Sequence, residues 1–195
     1  MSQETVQLVV GLIALLVLVG LGAMWMRKRR TEALRSRFGT EYDRLEKRTG
    51  DPRKAEDLLA AREKRVAAFT IRSLPNEQRD AFVASWRDVQ AQFVDDPKGA
   101  VAKADTLLGQ VMAARGYPMA DFAQRAADLS VDHSEVVTNY RTAHDIALRH
   151  ERGEAGTEDL RQAMIHYRAL FDDLVNEPVS PAGSGANANV RKQRA

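Results

Sequence analysis

VQLVVGLIALLVLVGLGAMWM, residues 6–26, runs for 21 positions without a charge, and Gln7 is its one distinctly polar side chain. At about 1.5 Å per helical residue it reaches roughly 31 Å, the thickness of a bilayer's hydrocarbon core. The run predicts a transmembrane helix, with Trp25 at its end, where an amphipathic ring prefers the headgroup level. A cleavable signal peptide would open on a basic stretch, carry about 7–15 apolar residues and close on small ones. Here the order is reversed. Glu4 precedes the run, whereas Arg27, Lys28, Arg29 and Arg30 follow it directly, with Arg35 and Arg37 close behind.

Basic residues beside a span stay on the cytoplasmic side, so this collar predicts a single-pass anchor with its N-terminus out and its C-terminal domain cytoplasmic. The collar would lie against anionic headgroups, each charge contributing on the order of 1 kcal/mol. Gly11, Ala14, Gly20, Gly22 and Ala23 form no pair spaced four apart, so tight homodimerisation through the span is not signalled.

Working outward, the 195 residues are 44% hydrophobic and 29% charged with no cysteine, which excludes collagen-like, disulfide-scaffold and wholly disordered classes. Thiol nucleophiles are excluded with them. Lys+Arg number 29 against 27 Asp+Glu, and the excess sits at the ends, in the collar and in Arg191, Lys192 and Arg194. No basic run lies between residues 38 and 178, so no nucleic-acid partner is expected.

Beyond the collar the apolar residues recur at helical spacing. Leu34, Phe38, Tyr42 and Leu45 share one face and read as a stalk continuing the membrane helix, weakened at Gly39 and ended by Thr49-Gly50. Asp51-Pro52 supplies a capping carboxylate and a proline at the first helical position, opening a charged helix to about Ala68. After a connector, Phe69 to Leu74, Ser73-Leu74-Pro75 starts a helix whose stripe Phe82, Trp86, Val89, Phe93 reads as core rather than a partner groove. Asp96-Pro97 repeats the capping device ahead of Val101, Ala104, Leu108 and Val111, and Gly116 ends that helix. Met119, Phe122, Ala126 and Leu129 mark a short helix. Asp132 is expected to cap the next, with Val136, Tyr140, Ala143 and Ala147 facing in and Gly153 closing it. Thr157 begins the last, with Leu160, Met164, Tyr167, Phe171 and Leu174 in register. The short Gly153–Thr157 connection predicts an antiparallel pair. The residues after the two capping devices do not match, so no repeat is read.

The expected architecture is therefore all-α. It comprises a short extracytoplasmic N-terminus (1–5), a transmembrane helix (6–26), a basic collar and stalk (27–50), a helical-bundle-like domain (51–177) and a disordered tail (178–195) poor in large apolar residues.

The histidines are the first candidates for catalysis. His150-Glu151-Arg152-Gly153-Glu154 lacks the second histidine of a zincin. His144-Asp145 resembles the adjacent pair of metal-dependent phosphohydrolases, but neighbours on a helix point about 100° apart and would need ligands from elsewhere. A partly buried, hydrogen-bonded core histidine is the better reading of His144, and His166 reads as solvated. Of the paired carboxylates, Asp96 is explained by capping, and Asp172-Asp173 by an exposed face. Neither a phosphate-binding glycine loop nor a G-x-S-x-G elbow occurs, and no cofactor, metal ligand or catalytic residue is assigned.

RFGTEYDR (37–44), WRDVQAQFVDDP (86–97), RGYP (115–118), LSVDH (129–133) and TEDLRQAMIHYRALFDDL (157–174) together resemble a family of uncharacterised single-span bacterial membrane proteins with a helical soluble domain. The resemblance implies an inner-membrane location and brings no activity, cofactor or site residue. The reading that follows is a membrane-tethered interaction or scaffolding module. Its partners would be the bilayer, through the collar (Arg27, Lys28, Arg29, Arg30, Arg35, Arg37) and Trp25, and an unidentified protein. Two alternatives stand beside it. One is an enzyme with a metal or acid/base site assembled across helices around His144 and Asp145; the other is a periplasmic or secreted helical domain.

Overall fold

The computed structural model describes residues 3–176, without the side chains of residues 4–10, 13 and 14. Eight helices and no strand occur among the described residues, so the chain is all-α as its periodicity predicts. They are α1 (Gln3–Phe38), α2 (Thr40–Thr49), α3 (Pro52–Val66), α4 (Asn76–Gln92), α5 (Pro97–Arg115), α6 (Phe122–Asp132), α7 (Ser134–Glu151) and α8 (Thr157–Asn176). Among the described residues no helix is long and apolar enough to cross a membrane. Part of the expected span, residues 6–10, 13 and 14, lies outside the described side chains, and the expected disordered tail lies outside the described residues altogether.

The chain divides into two compact units, 1–59 and 60–195, with the division falling inside α3. In the first, Leu34, Phe38, Tyr42 and Leu45 are all buried, as their shared face predicts. The stalk is not one continuous helix, however. Gly39 adopts φ +48°, a left-handed backbone that suits glycine and breaks the rod between α1 and α2. Asp51 caps α3 as expected, its Oδ1 accepting from the Arg53 backbone N–H at 2.9 Å.

In the second unit, α8 is packed against both α7 and α5, while α4 lies on α5 and α6 on α7. The inward residues of α8 explain that position: Leu160, Ala163, Met164, Tyr167, Leu170, Phe171 and Leu174 are all buried. Each large side chain so placed contributes roughly 1.5–3 kcal/mol relative to leaving it in water. Trp86 stacks on Phe171 with centroids 4.7 Å apart, and Phe82 and Phe93 pack on the same core, so the α4 stripe is core. The Asp96 carboxylate accepts from the Gly99 N–H at 2.9 Å, and Gly116 (φ +99°) and Gly153 (φ +75°) end α5 and α7 as predicted.

Two helix starts differ from expectation. Met119 lies outside α6 and is exposed, because Asp121, not an apolar residue, opens that helix by accepting from the Gln124 N–H at 2.8 Å. Asp132 is the last residue of α6, and His133 occupies the N-cap position of α7. The two helices thus follow one another with a single residue between them.

Candidate functional site

In the first unit the six collar residues lie on or near one stretch of α1, all of them exposed. Helical spacing places Arg29 one turn beyond Trp25, and its guanidinium sits 3.9 Å from the indole centroid. Lys28 lies 4.0 Å from Glu32 across a turn. Arg35 is used differently. Its Nη2 donates to Glu46 Oε2 at 3.1 Å, and its guanidinium lies 4.9 Å from the Tyr42 ring centroid, fastening α1 to α2. The bond to Tyr42 and the charge of Glu46 raise the Arg35 pKa, while burial raises that of the Tyr42 hydroxyl. The exposed collar is therefore built chiefly by Arg27, Lys28, Arg29 and Arg30, with Arg35 committed to structure.

Behind this fastening lies a polar knot that sequence reading missed. Glu56, buried, accepts from the Thr31 hydroxyl at 2.6 Å and the Tyr42 hydroxyl at 3.3 Å. Thr31, Tyr42 and Glu56 stand 11 and 14 positions apart in sequence, and no local pattern joins them.

In the second unit the four histidines receive definite surroundings. His133 is buried and its Nδ1 lies 2.5 Å from Asp173 Oδ2, so Asp173 is not simply part of an exposed acidic pair as its position suggested. His150 donates from Nδ1 to the Ala155 carbonyl at 2.7 Å. His166 is half-buried, with Nδ1 3.0 Å from Asn139 Oδ1, rather than solvated. His144 is partly buried, as expected, but its ring is stacked on Phe122 with centroids 3.5 Å apart rather than hydrogen-bonded among the described residues. That burial lowers its pKa, against the opposing charges of Asp105 and Asp145. Asp145, its neighbour in sequence, is exposed, and no group of three or more metal-ligating side chains occurs among the described residues.

What His144 does adjoin is a half-open cavity of about 220 Å³ among α5, α7 and α8. Asp105 sits in its wall, accepting from Arg125 Nη2 at 3.2 Å on one oxygen and from the Tyr140 hydroxyl at 3.2 Å on the other. Burial and the Asp105 charge push the Tyr140 and Tyr167 hydroxyls far above their ordinary pKa, so both remain protonated. Asp105 could have been noticed in the sequence. It falls between Val101 and Leu108 at i+4 and i−3 on the inward stripe of α5, where a carboxylate needs partners.

No family model, curated protein or solved structure matches this chain.

Proposed function

We propose that this chain is a membrane-tethered helical interaction or scaffolding module of the bacterial inner membrane, anchored by residues 6–26 with its C-terminal domain on the cytoplasmic side. The observation that carries the reading is the surface of α1. From Leu12 to Met26, ten large apolar side chains are each more than half exposed, Val17 at 54% and Leu18 at 67% among them. At 100° per residue they point to every side of the helix, so a one-sided partner could not cover them, whereas lipid surrounds a helix on all sides. Leaving ten such side chains in water would cost about 10 kcal/mol or more, comparable with the entire stability of a domain.

The collar then supports orientation. Arg27 to Arg30 follow the apolar surface at once, and Trp25 with Arg29 laid over it suits the headgroup level. A tether of this kind confines the helical domain to the bilayer surface and raises its effective concentration toward a protein partner held there.

The test is fractionation of the full-length chain. It should pellet with membranes and resist alkaline carbonate, and protease added to unbroken spheroplasts should leave the helical domain intact. Leu16→Arg with Leu18→Arg, at about 3 kcal/mol of insertion cost per arginine near a helix centre, should release it. Wild-type protein that washes free with buffer refutes the anchor, and digestion in spheroplasts refutes the orientation.

A further inference from the structure

The cavity among α5, α7 and α8 has a polar wall whose bonding capacity the fold does not use up. Asp105 accepts one bond at each carboxylate oxygen, from Arg125 and from Tyr140, which leaves one lone-pair direction on each. Its side chain is 28% exposed, so those directions are reachable. Tyr167, only 1% exposed, lines the same space, and its hydroxyl takes no partner among the described residues. His144 forms another wall, stacked against Phe122, with both ring nitrogens unbonded among the described residues. Its burial keeps the ring uncharged at neutral pH, leaving one nitrogen to accept and one to donate.

Charge and size narrow the occupant. Asp105 and Glu151 line the space against the single ammonium of Lys98, and Arg125 is already engaged by Asp105. A carboxylate or phosphate ligand would face two anions, and an uncharged hydroxyl could fill only one of the two open acceptor directions of Asp105, whereas an ammonium carries three donors. Val101, Leu160 and Leu148 supply apolar surface beside these groups. A cavity of 150 Å³ accepts benzene, so about 220 Å³ accommodates a ring carrying a short arm, smaller than a drug-sized ligand.

We propose that this cavity is a binding site for a small organic cation, an amine on an apolar ring or short chain, whose ammonium is received by Asp105 and the Tyr167 hydroxyl. His144 forms the flanking wall and Glu151 reinforces the negative potential at the mouth.

The test uses the full-length chain in detergent micelles and three probes of one shape: benzylamine, benzyl alcohol and benzoate. Ring resonances of His144 and Tyr167 are followed by NMR during titration. Benzylamine should shift both saturably and bind about tenfold more tightly than benzyl alcohol, a preference worth about 1.4 kcal/mol, with benzoate weaker still. Asp105→Asn should abolish the preference. Leu148→Trp, placed at a half-exposed position to fill the cavity, should remove binding of every probe. Because Asp105→Asn also loosens Arg125 and Tyr140, Glu151→Lys provides a second variant at an exposed position. It should weaken benzylamine about tenfold while sparing benzyl alcohol. Equal affinity for amine and alcohol, an amine preference that survives Glu151→Lys, or the absence of any saturable shift would overturn the assignment.

Discussion

Gly116 and Gly153 end their helices in the same left-handed backbone, yet alanine at the two positions should have very different consequences. At Gly153 an added Cβ meets nothing within 4 Å, so Gly153→Ala carries only the conformational cost of a non-glycine residue at positive φ, about 1–2 kcal/mol. At Gly116 the same atom would stand 2.3 Å from the backbone carbonyl oxygen of Thr70. That segment cannot swing aside freely. The Arg72 N–H donates to the Arg115 carbonyl at 2.8 Å and its Nε to the Ala114 carbonyl at 3.0 Å, pinning the connector to the end of α5. Displacing it adds an overpacking cost of about 1–3 kcal/mol, so Gly116→Ala should destabilise by about 2–5 kcal/mol. Urea unfolding of the full chain in micelles, followed by the fluorescence of buried Trp86, gives both values from midpoint shifts at constant slope. If the two variants differ by less than about 0.5 kcal/mol, within the scatter of additivity, the close approach at Thr70 does not govern this junction.

Three further outcomes follow from the same geometry. Asp96→Ala and Asp121→Ala each remove a capping carboxylate and should lower stability by about 1 kcal/mol in the same urea assay, additively, since no hydrogen bond is shared between them. Trp86→Ala empties the stack on Phe171 and should cost about 3–5 kcal/mol; a loss below about 1 kcal/mol would mean the α4 stripe is not core. The third concerns pH. The folded chain holds the His144 pKa below the ordinary 6.5, through burial first, with Arg125 adding to the effect and Asp105, Asp145 and Glu151 opposing it. The unfolded chain therefore takes up this proton more readily, and the contribution of His144 to stability is fully present above pH 6.5 and lost as pH falls from there through the lower folded value. His144→Phe should accordingly show a shallower decline in stability between about pH 7 and 5 than the wild type, and parallel curves would count against this burial.

How much of this is legible in the sequence depends on the range of the interaction. Asp51-Pro52, Asp96-Pro97, Gly116 and Gly153 act within one helical turn, and each marks the helix end that its chemistry predicts. The faces Leu34/Phe38/Tyr42/Leu45 and Leu160/Met164/Tyr167/Phe171/Leu174 repeat at the helical period, and all nine residues are buried. The α6 start was misplaced because Met119 is apolar and at the right spacing, whereas the decisive signal was the carboxylate of Asp121 three residues ahead of the Gln124 N–H. The polar groups escaped for a different reason. Asp105 meets Arg125 and Tyr140 across 20 and 35 positions, and His133 meets Asp173 across 40, so only the packing of one helix on another brings them together. His144 is partly buried as its place on α7 predicts, but it is stacked on Phe122 rather than hydrogen-bonded among the described residues, and the cavity beside it needs three helices to exist.

The continuity of α1 has a mechanical consequence. From Gln3 to Phe38 the helix contains no break, and the first joint is Gly39, about 20 Å of axial rise beyond Met26. A continuous run of hydrogen-bonded turns resists twisting, so a rotation imposed on the apolar end is carried along the helix toward Thr31 and Leu34. There the grip of Glu56 on Thr31 and Tyr42, and of Glu46 on Arg35, resists it directly. A rotation of this rod would therefore be taken up at the left-handed Gly39 joint or at those bonds.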